Sequence, residues 1–413
     1  MRVFSAVRHS NDPTLHYGGL WSGNFYPALQ QLGHEIVESQ VDLLPASRFM
    51  HVAKNFTTQE RQTRAEITER IIAEVKRAHA RQPLDVFLSY FYNAHFDPAG
   101  FEEIHRLGIP TVNFYCNSIY QFELVSEIAP RVTFAWHAEK HARHSYQGVR
   151  ANPVWVQMAA DPGVYRPVLH SPVATKACFV GQKYADRDRL MHALVKAQVP
   201  VDVFGPGWNG NGSEHGTNEL EPSARYLNRK QIVPGTVESY LEAFRGNLHR
   251  HGFFGGMSRT WRQFEYRKQT RKLSPLFAPI ARGPIPFQEI AAVFSAYEVI
   301  LNFSNVWADG RPGSDLIPHV RLRDFEAPMS RACYLTGYTE EIAEFYELGV
   351  EIDTYRNAEE LVDKTKFYLI HPQQAEALRE AGYRRALHDH TWERRFEELF
   401  LKTGLSKSAK MQA

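Results

Sequence analysis

Cysteine, metal-ligand clusters and long apolar runs are scarce in this sequence. The 413 residues include only Cys116, Cys178 and Cys333, which are far apart and form no Cys-x-x-Cys pair. This spacing excludes a zinc-ribbon site and a dense disulfide framework. No stretch approaches 18 uninterrupted apolar residues, so no membrane-spanning helix is predicted. Because Arg2 and Arg8 interrupt the first segment, it does not match a secretory leader, and we expect a cytoplasmic protein with buried thiols.

An excess of charge of either sign is also absent from the chain as a whole. The 48 Lys and Arg residues nearly balance the 46 Asp and Glu residues, which excludes a polyanion-binding protein on composition alone. The exception is local, because residues 245–272 contain eight Lys or Arg residues, five interleaved aromatic residues and one acid, Glu265. Two interpretations are open: a solvated helical hairpin with Arg stems over aromatic rings, or a surface for phosphates, nucleic acid or an anionic membrane.

Short apolar strands alternate with helices twice along the chain. The first series runs from the strand at residues 3–7 to residue 158, and the second begins with the strand at residues 176–180. Such alternation predicts an α/β protein with parallel, doubly wound sheets. We expect two Rossmann-like domains, residues 1–168 and 169–413, facing a cleft, with a basic helical insertion at about 209–283. The last helix is expected to pack back on the N-terminal domain.

A compact group of charged residues lies at 319–331. Glu326 lies at an otherwise apolar helix start, and carboxylates at the mouth of a nucleotide cleft accept hydrogen bonds from ribose hydroxyls. Arg321 and Arg323 have the forked geometry that suits phosphate oxygens. The alternative is a solvated helix face on which Arg and Glu pair with each other.

Several motifs occur here in the order typical of one protein family. They are Phe179-Val-Gly-Gln-Lys183 with Arg187, Phe204-Gly-Pro-Gly-Trp208, Arg323-Asp-Phe-Glu-Ala327, Leu335-Thr-Gly-Tyr338, Phe345, Gly349-Val-Glu-Ile352, Tyr355, His371-Pro372 and His390-Thr-Trp-Glu-Arg-Arg395. This ordered set resembles bacterial glycosyltransferases similar to the spore-maturation protein CgeB. The N-terminal half agrees more loosely, through Gly33-His34-Glu35 and Met158-Ala-Ala-Asp161.

The resemblance implies a GT-B enzyme whose C-terminal domain binds a nucleoside diphosphate-sugar donor. A UDP-sugar is the donor expected for such folds. Glu326 would bind the ribose, and the diphosphate would lie near Gly181 and Lys183, with Arg187 or Arg323 adding charge. The loop of Gly205 and Gly207 is either a base-binding loop or a plain turn. The resemblance implies no cofactor and no divalent metal, since side-chain cations and a helix N-terminus can neutralise the departing diphosphate.

One departure from the family concerns a glutamate pair. Many retaining relatives carry two glutamates eight residues apart, but the residue eight before Glu326 is Pro318. Whether the reaction retains or inverts configuration therefore stays open. An inverting reaction needs a base on the acceptor hydroxyl, and the N-terminal candidates are His16, His95 with Asp97, and His137, although most isolated histidines have structural roles.

The acceptor is expected to bind the N-terminal domain. The Gly18-Gly19 loop after the first strand either brings backbone close to the acceptor or is a simple turn. Arg259 and Arg262 of the basic segment are assigned to an anionic acceptor, such as a lipid-linked saccharide, a polysaccharide or a nucleic acid, with peripheral membrane contact. We therefore expect a cytoplasmic glycosyltransferase. The alternatives are a nucleotide-sugar epimerase of the same fold and a non-catalytic sugar- or nucleotide-binding module.

Overall fold

A computed structural model describes residues 1–12, 18–168, 172–208 and 237–405 of the chain. Two compact units divide these residues. The first comprises residues 1–161 and 390–405, and the second comprises residues 162–208 and 237–389. Each unit contains one six-stranded parallel sheet.

The first unit is built on six short strands in which apolar residues are the majority. They are β1 (Arg2–Ala6), β2 (Glu35–Glu38), β3 (Val86–Ser89), β4 (Thr111–Tyr115), β5 (Phe134–His137) and β6 (Pro153–Trp155), in the spatial order β2-β1-β3-β4-β5-β6. Strands β3 and β4 are buried at every residue, as expected for parallel strands covered on both faces. The sheet order reverses between β1 and β3, because the chain leaves β1 toward β2 on one side and returns to β3 on the other.

Helices cover both faces of this sheet. They are α1 (Leu20–Gln31), α2 (Leu44–Ser47), α3 (Thr58–Arg81), α4 (Pro98–Arg106), α5 (Ser118–Gln121) and α6 (Arg143–Gly148). The α3 helix begins with a reciprocal capping box between Thr57 and Glu60, which satisfies two backbone N–H groups at its start.

The second unit has the strand order β14-β13-β10-β7-β8-β9. Its strands are β7 (Ala174–Val180), β8 (Val201–Phe204), β9 (Ala281–Gly283), β10 (Tyr297–Asn302), the antiparallel hairpin β11 (Asn305–Trp307) and β12 (Leu316–Pro318), β13 (Tyr334–Gly337) and β14 (Asp353–Tyr355). The chain runs outward from β7 to β9, then returns to β10 on the other side of β7, so the order reverses between β7 and β10.

The remaining helices are α7 (Arg187–Lys196), α8 (Val237–Leu273), α9 (Ile290–Ala296), α10 (Arg323–Met329), α11 (Ala358–Ile370), α12 (Pro372–Asp389) and α13 (Trp392–Thr403). The last of these belongs to the first unit, where the Trp392 indole N–H donates to Asn24 Oδ1 of α1 at 3.0 Å and Phe396 meets Phe25 edge to face. None of the helices in the described ranges is both long and apolar enough to cross a bilayer.

The expected basic insertion, 209–283, is described from residue 237 onward, and residues 209–236 lie outside the described residues. Its helix α8 lies between β8 and β9, in the place of a crossover connection, and it is kinked at Gly252, whose φ is +69°. Asn247 Nδ2 donates to Thr260 Oγ1 at 3.1 Å and to Gln263 Oε1 at 3.2 Å. In a straight helix residues 16 apart would be about 24 Å apart, so α8 folds back as a hairpin.

Candidate active site

The two reversals of strand order locate the candidate sites. In open parallel sheets, ligands bind outside the carboxyl ends of the strands, at the point where the strand order reverses. In the second unit that point lies between the loops after β7 and β10. In the first unit it lies between the loops after β1 and β3.

The predicted donor glycines pack the two loops after β7 and β8 together. A Cβ on Gly205, whose φ is +131°, would lie 2.4 Å from the carbonyl oxygen of Gly181. A Cβ on Gly207 would lie 3.2 Å from Lys183 Cβ. Trp208 is fully buried and donates its indole N–H to the Gly181 carbonyl at 2.8 Å. These contacts explain the glycine motif by close loop packing, and they give Trp208 a structural role.

Two arginines at the switch point share one aromatic ring. The Arg187 guanidinium carbon lies 4.2 Å from the centre of the Tyr184 ring, and that of Arg321 lies 5.5 Å from it. Arg321 donates to the Tyr184 hydroxyl and to the Asn305 carbonyl, and Arg187 donates to the Gln182 carbonyl at 2.7 Å. Burial lowers the pKa of Arg187 to about 10, and the positive charge of Arg321 adds to this. The cluster therefore concentrates positive charge where Arg187 is buried and Arg321 is partly buried.

Lys183 points to a different place from these arginines. Its Nζ donates to Ser274 Oγ at 2.5 Å, at the end of the α8 hairpin. Half-burial lowers the pKa of the Lys183 ammonium, whereas the nearby Asp188 carboxylate raises it. Lys183 thus connects the loop after β7 to the segment that follows α8, and its expected contact with the diphosphate stays a prediction.

Glu326 is held by two neighbours of its own unit. Its Oε1 accepts a hydrogen bond from the Tyr165 hydroxyl at 2.6 Å, and its Oε2 accepts one from Arg323 Nη1 at 2.8 Å. The Arg323 guanidinium lies 5.1 Å from the centre of the Phe294 ring, so it is oriented by both a carboxylate and an aromatic face. The structure therefore pairs Arg323 with Glu326 and pairs Arg321 with Tyr184 and Arg187.

Asp324 explains why the helix of Glu326 begins where it does. Its Oδ2 accepts the Arg321 backbone N–H at 2.7 Å, and its Oδ1 accepts the Tyr334 and Thr336 hydroxyls at 2.8 and 2.9 Å. Burial raises the pKa of this carboxyl, and the hydrogen bonds act in the opposite direction. Asp324 thereby fixes α10 to the end of β13. The sequence motif included Asp324, but nothing in its spacing distinguished this anchor from Glu326.

A polar cavity of about 190 Å³ lies beyond the ends of β10, β13 and β14. It is lined by Ser304, Asn305, Gly337, Tyr338, Tyr355 and Arg356. The Arg356 guanidinium carbon lies 3.6 Å from the centre of the Tyr338 ring, which makes this pair a flat platform on one wall. Sequence reasoning noted Tyr338 and Tyr355 only as family motif residues and missed Arg356, which no motif included.

In the first unit, His95 has structural partners on both ring nitrogens. Nδ1 accepts the Tyr92 backbone N–H at 3.1 Å, so Nε2 carries the proton and donates to Ser47 Oγ at 2.9 Å. Burial, together with the neighbouring His9, lowers the pKa of His95 well below its usual value. Asp97 Oδ1 caps α4 by accepting the Ala99 backbone N–H. The catalytic role of these two residues stays a prediction, and His16 lies outside the described residues.

His9 is the titratable residue that the sequence interpretation missed at this switch point. It follows β1, and its ring lies 4.4 Å from that of His95 and 5.0 Å from that of Tyr90, centre to centre. Its Nε2 donates to the Tyr90 carbonyl at 2.6 Å, which leaves Nδ1 as the acceptor nitrogen. Burial lowers the pKa of His9 to about 4, so the ring is neutral at pH 7. A histidine two residues past the first apolar strand was the available signal.

The acceptor-side glycines and arginines have defined positions. The Gly18 carbonyl accepts the His9 backbone N–H at 2.9 Å, and Gly19 precedes α1, so this loop returns to the end of β1. Arg259 is buried in an ion pair with Asp309, and Arg262 Nη1 contacts Asp315 Oδ1 at 2.7 Å. Both pairs tie α8 to the β11–β12 hairpin. The assignment of Arg259 and Arg262 to an acceptor stays a prediction.

The remaining histidine candidate, His137, is also buried. Its Nδ1 donates to the Glu139 carbonyl at 2.9 Å, and burial lowers its pKa to about 4. Within the described residues, no group of three or more His, Cys, Asp or Glu side chains has the arrangement of a metal site.

Comparison with known proteins agrees with this architecture. Residues 265–400 match the family model described as "Glycosyl transferase-like". No curated protein matches the sequence. The solved structures of sucrose-phosphate synthase from Thermosynechococcus elongatus and of AviGT4, a glycosyltransferase of avilamycin A biosynthesis, are 11% and 13% identical to this chain, with TM-scores of 0.55 and 0.56. The alignments cover 98% and 99% of this chain and 99% of each of those chains.

A third similar structure is Alr3699/HepE from Anabaena, solved with UDP and glucose, at 10% identity and a TM-score of 0.51 over 98% of this chain and 99% of that chain. At such low identity these three likenesses show the fold alone, which is the GT-B fold with two Rossmann-like domains. The predicted fold class is thus confirmed, and the family match confirms the predicted enzyme class, a glycosyltransferase.

Proposed function

We propose that this GT-B glycosyltransferase transfers a sugar from a UDP-sugar to a hydroxyl group of an anionic acceptor without a divalent metal, and that it belongs to the CgeB-like subgroup. The observation that carries the proposal is the Arg187–Tyr184–Arg321 cluster at the switch point of the second unit. The motif order from Phe179 to Arg395 supports the subgroup.

The arginine cluster suits a departing nucleoside diphosphate. Arg187 and Arg321 carry like charges, and the positive charge of Arg321 disfavours the charged form of the buried Arg187 until an anion joins them. Negative charge builds on the diphosphate as the bond to the sugar breaks, and preorganised cations stabilise that charge most strongly where water is excluded. The guanidinium geometry also allows paired hydrogen bonds to phosphate oxygens.

Glu326 suits the ribose of the same donor. An ionised carboxylate has about four acceptor positions, and Tyr165 and Arg323 use one on each oxygen. Each oxygen can therefore accept one ribose hydroxyl while its present partner keeps the carboxylate oriented. The choice of uridine rests on the Anabaena protein, whose structures were solved with UDP and with UDP-glucose.

For the acceptor, the proposal assigns His9 to orient the attacking hydroxyl. Its Nδ1 has no partner among the described residues, and its low pKa keeps that nitrogen a neutral acceptor at pH 7. His95 is less suited, because both of its ring nitrogens already have partners. We place the enzyme in the cytoplasm, since Cys116, Cys178 and Cys333 are all buried and form no disulfide, as is usual in a reducing compartment.

Turnover of labelled UDP-sugars by the wild-type protein, with and without EDTA, tests the donor and metal parts of the proposal. Arg187→Met and Arg321→Met should each lower kcat by about 100-fold or more, because removing one preorganised donor to a developing anion costs that much in other enzymes. Arg384→Met is the matched control, since the Arg384 side chain is 74% exposed on α12. Wild-type kcat in both cluster variants would refute the phosphate assignment, and loss of activity in EDTA that Mn²⁺ restores would refute metal independence.

A further inference from the structure

The outward face of α8 carries apolar side chains where a solvated helix carries polar ones. Phe254 is 86% exposed and Trp261 is 65% exposed. Together with three similarly exposed neighbours they form the α8 stripe, which consists of Phe253, Phe254, Met257, Trp261 and Phe264. At 3.6 residues per turn these five positions fall within an arc of about 100° and extend over about 17 Å. The stripe is therefore one continuous ridge on one side of the helix.

Contacts on the opposite side of α8 prevent the stripe from turning inward. The Tyr266 ring packs edge to face on Trp307 with ring centres 5.1 Å apart, and Thr270 Oγ1 donates to Asp188 Oδ2 at 2.7 Å. Arg259 pairs with Asp309 of the loop between β11 and β12. A Cβ on Gly313 of the same loop would lie 2.9 Å from the Gln263 backbone nitrogen, so this loop lies directly against the helix. The exposure of the stripe is thus a fixed feature of the second unit.

The α8 hairpin also forms an apolar groove beside the stripe. The groove has a volume of about 440 Å³, and Phe244 from the first half of the hairpin lines it together with Trp261 and Phe264 from the second half. A Cβ on Gly256 would lie 2.7 Å from Leu248 Cα, so the two halves are in close contact. Apolar surface on α8 therefore extends from a protruding ridge into an adjoining recess.

Cations surround this apolar surface. Arg245, Lys268 and Lys272 are exposed, and residues 245–272 contain eight cations against Glu265. Asp309, Asp315 and Glu265 lie within ion-pair distance of Arg259, Arg262 and Lys268, so the eight cations of residues 245–272 outnumber these three acids by five. An amphipathic helix with Trp and Phe on its apolar side and Lys and Arg beside them has the composition of helices that lie in the interface of an anionic membrane.

We infer that the α8 stripe docks the enzyme on the surface of a bilayer that contains anionic lipids. Its aromatic residues enter the headgroup region, and the flanking cations contact lipid phosphates. A second copy of the chain is a poorer partner, because the positive rims of two stripes would repel each other. A single-stranded nucleic acid usually lies in a basic groove, whereas this aromatic face is a convex ridge that includes Met257. This inference does not depend on the donor chemistry proposed above.

Flotation of the full-length protein with lipid vesicles tests the inference. We expect the protein to float with vesicles of phosphatidylcholine mixed with phosphatidylglycerol, to float poorly with phosphatidylcholine alone, and to be released by high NaCl. Replacing Phe254 and Trp261 by Ser should lower the partition coefficient by about ten-fold per side chain. Lys268→Gln with Lys272→Gln should lower it by about five-fold per cation and flatten its salt dependence.

A matched control lies on another helix of the same unit. Lys366→Gln with Ile370→Ser removes an exposed cation and an apolar side chain that is 71% exposed on α11, and it should leave flotation unchanged. Wild-type flotation of the Phe254 and Trp261 variant, or no flotation of the wild type with anionic vesicles, would overturn the inference. Two other outcomes would also overturn it. In the first, the Phe254 and Trp261 variant loses binding to a single-stranded oligonucleotide but still floats with the vesicles. In the second, the wild type dimerises in solution and the same variant does not. Donor hydrolysis in solution should be unchanged in the stripe variants, which separates failure of this inference from failure of the proposed function.

Discussion

The proposed ribose contact of Glu326 predicts a specific loss of discrimination between UDP and 2′-deoxy-UDP. Glu326→Gln replaces a carboxylate by an amide that has one acceptor oxygen, while Tyr165 and Arg323 keep their positions next to it. Hydrogen bonds to a charged group contribute about 1.5–3 kcal/mol each. Losing the charge at one ribose hydroxyl should therefore weaken UDP binding by about ten-fold or more. The affinity for 2′-deoxy-UDP should change less, because only its 3′-hydroxyl contacts the side chain at position 326.

Isothermal titration calorimetry of the two nucleotides with wild type and variant measures this effect. The ratio of their Kd values should fall toward one in Glu326→Gln. Tyr165→Phe removes one orienting partner of the carboxylate and should lower the ratio only partly, because the charge remains. Glu359→Gln, at an exposed position in the first turn of α11, is the control. If Glu326→Gln kept the wild-type ratio at an unchanged melting temperature, Glu326 would not contact the ribose.

Two further predictions concern stability. Gly205→Ala should destabilise the protein by about 2–4 kcal/mol, because its Cβ would lie 2.4 Å from a backbone oxygen. Gly349→Ala should cost about 1 kcal/mol, because Gly349 has a φ of +82° but no atom within 4 Å of the added Cβ. Urea titration of the two variants compares the losses, and equal losses would contradict close packing at Gly205. Burial lowers the pKa of His9 and of His137 to about 4 in the folded chain, whereas the unfolded value is about 6.5. The stability that each neutral ring contributes is therefore fully present above pH 6.5. As the pH falls to 4, each histidine should lower the free energy of unfolding by about 3 kcal/mol. Melting temperatures should therefore fall over that window, and less steeply in His9→Gln; an unchanged slope in that variant would contradict the assignment.

At each switch point, one buried side chain has many hydrogen-bond partners within the protein, and a neighbouring side chain has fewer. In the second unit, Asp324 is saturated with protein partners, whereas Glu326 on the same helix has acceptor positions to spare. In the first unit, both ring nitrogens of His95 have partners, whereas the adjacent His9 has a partner for one nitrogen among the described residues. Burial alone does not separate such neighbours, because all four side chains are buried. The number of hydrogen-bond partners does separate them.

The sequence by itself determined the fold class and the enzyme class, and it predicted the loops in which the donor residues lie. Short apolar runs predicted strands of parallel sheets, and β3 and β4 are buried at every residue. The ordered motifs included Arg187 and Glu326, and the charged group at 319–331 added Arg321. Helix α3 begins with a capping box and buries apolar residues on one face, and both signals are contained in its local sequence. The cleft between the domains and the roles of the individual site residues stay predictions.

Only the tertiary structure decided which partner each polar group takes. The sequence cannot show that His9 lies beside His95, that Arg187 and Arg321 share Tyr184, or that Tyr165 reaches Glu326, because the residues of each pair are 86, 134 and 161 positions apart. It also could not show which face of α8 meets solvent. The sequence offered a helical hairpin for this segment, and contacts of Tyr266, Thr270 and Arg259 with distant parts of the chain turn the opposite face outward. Pairings between distant residues depend on how the sheet is wound, and that winding is a property of the whole domain.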